Sequence, residues 1–423
     1  MSKKEAFIAN LMQLSVADFN AQHQQHREEA LKALQHMEFP TLRDEAWKYT
    51  RIASVLNNSY MPVEPSEEVL SAVDTSLMAE YRMVFVDGFY QASLSNLPLS
   101  KGVHVSTIGQ AKIENPELID LYYNQLAQNQ SDIFSALNTG FHHTGAVVEF
   151  AENTVLNEAI EIYFVTQSEN SVAQPRNLFV AQKGAQGSIH VHYTGSDATA
   201  FCNPLNEVFV ASNSHLEVEV IQNQGSATSM VHSTQVQQEQ DSTFTTGAFT
   251  FGGKLVRNNL NILVNGEHCE THLNGAYILN DKQHADNHTV VDHLKANCQS
   301  NENYKGIMDD KSTGVFNGKV FVRPDAQKIE AFQSNQNILL TEQASVNSKP
   351  ELEIYADDVK CSHGSTTGQL DEDALFYLMA RGIPEKTAIK LLVTAFVADA
   401  LEEIKSEELR AQIEELVQSK LNK

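Results

Sequence analysis

Basic residues are scarce in this 423-residue sequence: 30 lysines and arginines face 54 aspartates and glutamates, a net charge of −24. That excess repels phosphate backbones and anionic membranes, so neither is expected as a partner. No apolar run reaches the roughly 18 residues a membrane-spanning helix requires. The N-terminal MSKKEAFIANLMQ lacks the apolar segment and small-residue cleavage site of a secretory signal, so a cytoplasmic location is expected. Cysteine is rare as well. Cys202, Cys269, Cys298 and Cys361 stand far apart with no CxxC pair, which argues against a zinc ribbon or a self-contained four-cysteine cluster. In a cytosolic chain they read as reduced thiols, the first three as small buried hydrophobes. Phosphate-binding loops are missing too. The nearest text, GAFTFGGKL at 247–255, has an extra residue before its lysine and ends in Leu255 rather than Ser or Thr. No GxGxxG joins a strand to a helix, so neither an ATP site nor dinucleotide chemistry is expected. Asp309–Asp310 and Asp357–Asp358 are adjacent pairs, and neighbours on a strand point to opposite faces, which makes them poor acid–base partners.

What the sequence does have divides into zones. Residues 1–80 read as a helical region. In SVADFNAQHQQHREEALKALQHM, Phe19, His23, Ala30, Leu31, Leu34 and Met37 form a partial stripe, Ser15 with Asp18 makes a plausible cap, and Pro40 ends the pattern. A second helix is expected over 43–56, then a loop at Pro62 and Pro65. Residues 81–143 are a mixed α/β lead-in, with strands at RMVFVDG and GVHVSTI and a helix starting at Pro116. From 144 to 359 short strand-like runs follow one another, separated by turns such as GAQGS, TGSDA and NGEH. A sandwich, a jelly roll and a solenoid all fit that pattern. The length of the segment favours a solenoid, in which each coil buries its face on its neighbours. Residues 360–423 read as a C-terminal helical region, one helix ending at Gly382 and the next beginning at Pro384. Ile389, Leu392, Val393, Phe396, Val397, Ala400 and Ile404 form one apolar face there, which either packs on the β body or docks a partner.

Histidine is plentiful. EHCETH places His268 and His272 four apart around Cys269; KQHADNHTVVDH carries His284, His288 and His293; His190 and His192 share a strand face. Such spacings can put two ligands on one metal, but a third is wanted, and the plainer reading is polar histidines bonded to turn backbones. Cys361 and His363, in VKCSHGSTTGQ, are two apart. That spacing suits a shared metal better than a proton relay, and it supplies two ligands where three or four are usual. A partner subunit is the natural source of the rest. A metal-dependent enzyme on a β-solenoid, using His268/His272 or His284/His288, and a purely structural interaction module are the alternatives.

Four stretches carry a family resemblance: FPTLRDEAWKYT (39–50), HADNHTVVDH (284–293), YKGIMDDKSTGVFNGKVFVRPDAQK (304–328) and KPELEIYADDVKCSHGSTTGQLDEDALFYLMARGI (349–383). Together they resemble the SufB/SufD family of the SUF iron–sulfur cluster assembly machinery, its SufD branch more than its SufB branch. The resemblance implies a right-handed parallel β-helix core flanked by N-terminal and C-terminal helical regions. It also implies a non-catalytic scaffold that pairs with a SufB-type paralogue through the β-helix end. A SufC-type ABC ATPase would dock on the C-terminal helices, through the face of Ile389, Leu392, Val393, Phe396, Val397 and Ile404. His363, with Cys361 the weaker candidate, would hold a transient iron–sulfur cluster at the SufB interface, in the complex only. Unpaired solenoid edges also invite a homodimer of the isolated chain. Whether flavin joins the complex is not written in the sequence.

Overall fold

In a computed structural model of the chain, which describes residues 3–12, 21–76, 78–97 and 101–422, the described residues are mostly β, arranged as a β-solenoid with terminal helices. The ambiguity between sandwich, jelly roll and solenoid is settled by the pairing. Two long sheets run side by side, one of ten strands and one of eleven among the described residues. Strands of the first sheet begin at Thr243, Glu270, Gln299, Ile329 and Val359, one coil of 27 to 30 residues apart. Each is parallel to and in register with the strand one coil earlier. Between them the chain crosses to the second sheet, where Leu255–Val264, His284–His293, Thr313–Val322 and Ser345–Ile354 stack likewise.

Alternation along each strand decides what faces inward. Val256, Leu260, Ile262 and Val264 join the lumen core, with Leu273, Tyr277, Tyr304 and Phe316 from later coils. Glycine makes room for the larger rings: a Cβ at Gly275 would meet the Tyr304 ring at 2.3 Å.

Helices cover the outer faces. The N-terminal region packs on the second sheet, Phe7, Leu34, Trp47, Phe134 and Tyr60 meeting Phe201, Val231 and Leu255. Its helix Ala21–His36 is as expected, with Ala30 and Leu34 buried and Leu31 and Met37 partly so. The proposed cap at Ser15 and Asp18, together with Phe19 and the His23 side chain, lies outside the described residues. The helix expected over 43–56 is instead two short 3-10 turns, Glu45–Trp47 and Ile52–Asn57, with Arg51 extended between them. Trp47, Ile52 and Val55 are all buried in one cluster against the β body, reached by two turns with the extended Arg51 between them. The buried helix Ile133–Phe141 was not anticipated; all nine residues are buried, the polar Ser135, Asn138 and Thr139 among them, so no solvent-facing polar side marks it in the sequence.

At the other end, Glu372–Ala380 is capped by Asp371, whose Oδ1 accepts from the backbone N–H of Asp373 and Ala374, and Gly382 closes its turn at φ 88°. Glu385–Val397 then leads through Ala398–Leu401 to Glu407–Lys420. One boundary moves. The β body does not end at residue 359: Val359–Gly368 is a full strand of the first sheet, so the Cys-Ser-His-Gly stretch belongs to the solenoid and not to the helical region. Among the described residues, no helix is long and apolar enough to cross a membrane.

Candidate functional site

Among the described residues, the solenoid ends on an open coil. Its last two strands, Ser345–Ile354 and Val359–Gly368, are the final members of their sheets, and both are exposed or half-buried along their length. Each leaves a row of backbone groups without a neighbouring strand, a ready template for another chain. Pro350, which has no N–H to donate, sits in one of them, as a proline in a sheet should sit at an edge.

Cys361 and His363 lie on the terminal strand of the first sheet, beside Ala331 and Gln333 of the preceding coil. Alternation places both on the lumen side. Cys361 packs against the lumen core and is half-buried. Ser365, next on that face, donates to Ser348 Oγ at 2.7 Å, and Ser348 donates to the buried Asn335 at 2.8 Å. With no further coil above it, His363 is exposed at the mouth of the lumen. Burial pushes the Cys361 thiol above its ordinary value, only partly offset by a backbone hydrogen bond from Ala331. A thiol so placed is a poor free nucleophile, and a metal that displaces its proton would change that. The strand thus presents one imidazole and one half-sheltered thiol, side by side and open to whatever meets the edge.

Behind His363 the same register position is polar for two more coils. Glu302, Gln333 and His363 are consecutive Cα partners. Gln333 Nε2 donates to Glu302 Oε2 at 2.6 Å, and Thr289 Oγ1 donates to Glu302 Oε1 at 2.5 Å across the lumen. Burial pushes the Glu302 carboxyl up to about 7, against those two hydrogen bonds. Sequence reasoning missed Glu302 and Gln333. They lie 61 and 30 residues from His363, and only the coil pitch connects them.

The histidine groups resolve differently. His284 and His288 face outward, while His293 faces the lumen, its Nε2 3.0 Å from Ser300 Oγ. His284 Nε2 is 2.8 Å from Thr50 Oγ1, and His288 Nε2 is 2.9 Å from Asp286 Oδ1. Asp286 also meets Thr50 and, at 2.6 Å, Arg257, whose guanidinium lies 3.8 Å from the Trp47 ring centre and donates to the Ala46 carbonyl. Burial opposes ionisation of Asp286, but His288, Arg257 and Thr50 outweigh it and hold the carboxyl far below the usual range. This group is a clamp that fastens 46–50 to the β body, so two of the motifs in the resemblance, distant in sequence, meet here. His190 and His192 grip one carboxylate, Glu161, at 2.8 and 2.6 Å. His268 sits in an exposed turn at φ 58°, and His272 lies on a strand with Nδ1 4.0 Å from Glu403. Among the described residues, no group of three or more His, Cys, Asp or Glu side chains is placed to hold a metal.

The expected docking face is corrected. Val393, Val397 and Ile404 are buried against Ile221, Phe249, Ala276, Ile278 and Ile307 of the first sheet, with Ile389 and Phe396 packed at the margin and Leu392 half-buried. An amphipathic helix next to an apolar sheet face closes on it. The exposed apolar residues of the hairpin are others: Phe376 (73% exposed), Tyr377, Met379 and Leu391. No residue of Glu372–Ala380 is buried.

Comparison with known proteins places this geometry among relatives. The family model described as "SUF system FeS cluster assembly, SufBD core domain" matches residues 164–396, and that of the SufBD protein N-terminal region matches 9–162. The chain is 29% identical to the iron–sulfur cluster assembly protein SufD of Escherichia coli, over 93% of this chain and 90% of that one. It is 30% identical to an iron–sulfur cluster assembly SufBD family protein of Synechocystis sp., covering 92% and 89% of the two chains. With the chloroplastic protein ABCI7 of Arabidopsis thaliana the identity is 28%, over 92% and 84%.

Proposed function

The chain belongs to the SufBD family of the SUF iron–sulfur cluster assembly system, and from that premise we propose that it acts there as a non-catalytic scaffold subunit in the cytoplasm. The observation that carries the reading is the open solenoid end, where an exposed imidazole and a half-buried thiol stand together on a strand whose outer edge is unpaired. Two donors on an edge make half of a site. A SufB-type paralogue pairing along Val359–Gly368 and Ser345–Ile354 supplies the other half, and the nascent cluster is the cargo held between them, with His363 the principal ligand from this side and Cys361 the second. A homodimer of the isolated chain uses the same edges. A SufC-type ATPase docks on the C-terminal hairpin through Phe376, Tyr377, Met379 and Leu391, because the opposite face is already spent on the β body. ATP-driven movement of that hairpin strains the paired edge and opens Cys361 to iron and sulfide.

The test is reconstitution with SufB-type and SufC-type partners, with and without this chain, reading iron, acid-labile sulfide and subunit ratio. Clusters that accumulate only when this chain is present support the scaffold reading. Equal iron and sulfide without it would refute it.

A further inference from the structure

We propose that Cys269 and Cys298 form a redox-active dithiol, which hydroperoxides close to a disulfide across successive coils of the solenoid. The two residues precede strands that pair in register, Glu270 with Gln299, so they occupy the same corner of consecutive coils. Gln299 N–H donates to the Cys269 carbonyl at 2.9 Å across that step. Parallel neighbours stand about 4.8 Å apart, inside the ~4.4–6.8 Å Cα separation a disulfide spans. Both thiols reach the same acceptor, the Gly266 carbonyl oxygen, at 3.3 Å from Cys269 Sγ and 3.2 Å from Cys298 Sγ, which keeps the sulfurs within a few ångströms of each other.

The two preceding coils put Ser214 and Ser242 at this corner, and the next one puts Ile329 there. Ser242 holds the position one coil earlier, and its Oγ lies 3.7 Å from Cys269 Sγ. Packing at this corner therefore does not ask for cysteine; what sets these two positions apart is that both are thiols aimed at one shared acceptor. The Cys298 S–H draws the Cys269 thiol below its ordinary value, while Cys298 is pushed up. Ser242 Oγ, which donates towards Cys269 Sγ, favours Cys269 as the attacking thiolate and leaves Cys298 to resolve. Both are buried at the edge of the lumen core, next to the turn 265–268, where Glu267 and His268 are half exposed. A water-sized oxidant enters when that turn opens.

The step balances. The Cys269 thiolate attacks the peroxide O–O bond, forming a sulfenic acid and releasing hydroxide. Cys298 sulfur then attacks the Cys269 sulfur, an S–S bond forms, and water leaves, so the dithiol gives two electrons and two protons to the peroxide. The bridge would tie together the starts of Glu270–Leu279 and Gln299–Met308, the strands whose Ala276, Ile278 and Ile307 seat the C-terminal helices.

The test uses the folded full-length chain and hydrogen peroxide, followed by unfolding in maleimide, thiol counting and peptide mapping. Of the four cysteines, two should remain free, a single peptide linked through 269 and 298 should appear, and dithiothreitol should restore all four. Cys298→Ser, a change the Ser242 position shows the corner tolerates, should give a dimedone-trapped Cys269 sulfenic acid and no linked peptide. Free Cys269 and Cys298 at a dose that oxidises Cys361 would overturn the proposal, as would a disulfide with any other pairing. Neither result depends on the assembly partners, so the inference stands or falls separately from the scaffold reading.

Discussion

Replacing Arg257 by alanine should release the N-terminal segment from the β body, and the chain's single tryptophan will report it. Trp47 is that residue; it is 9% exposed, stacked on Phe134 with ring centres 5.3 Å apart, and covered by the Arg257 guanidinium. Arg257 and Asp286 are each almost wholly buried and 2.6 Å apart. Removing one partner of a buried pair strands the other charge and costs about 3–5 kcal/mol. His288 remains 2.9 Å from Asp286 and offsets part of that, while loss of the desolvated cation–π contact adds about 2 kcal/mol. A net loss of about 3–5 kcal/mol is expected, concentrated in the segment that the clamp holds. In a urea titration followed by Trp47 emission, Arg257→Ala should shift to red at lower denaturant than wild type. Asp286→Asn should do the same, and the two changes together should cost clearly less than their sum, since the second no longer strands a charge. An unchanged Trp47 midpoint, or strict additivity, would refute the clamp.

Glu302 gives a pH signature. Its carboxyl titrates near 7 in the fold but near ~4.3 when unfolded, so the folded state holds the extra proton between those values. Stability contributed through this group is therefore present below the lower value and lost as pH rises towards 7; Glu302→Gln should flatten that decline in urea midpoints from pH 5 to 7.5, and an identical slope in the variant would contradict it. Gly318→Ala should cost about 1–3 kcal/mol by overpacking, because a Cβ there would sit 2.1 Å from Gln333 Nε2; an unchanged midpoint would show that the lumen has slack. On the C-terminal hairpin, Val397→Asp should expose the helix pair to protease by burying a charge in the cluster on the first sheet. Phe376→Ser with Tyr377→Ser should leave protease resistance intact and abolish ATPase binding in co-purification. Retained binding would move the docking site elsewhere.

Some of this was legible before any coordinates. Short β-branched runs such as IEIYFVT and KVFV announce strands because their side chains suit a pleated, buried surface, and both lie in strands. The coil pitch was not legible, since successive coils share shape without sharing sequence. For that reason Cys361 and His363, two apart in the text, could be singled out together, while Glu302 and Gln333, lined up with His363 only by the coil pitch, could not. The face of Val393, Val397 and Ile404 was read correctly as apolar, but periodicity says that a face is covered and not by what. Trp47 shows the opposite limit: its segment looked helical, but it is a short 3-10 turn packed under Arg257 of the second sheet, a contact that local pattern does not announce.

The most direct test of the central claim compares wild type with His363→Ala in the complex co-expressed with the SufB-type and SufC-type partners, reading iron and sulfide per complex and the subunit ratio together. The account predicts an intact complex that has lost its cluster. Full cluster content in an intact complex would contradict it, and VKCSHGSTTGQ would then be an edge that pairs and nothing more.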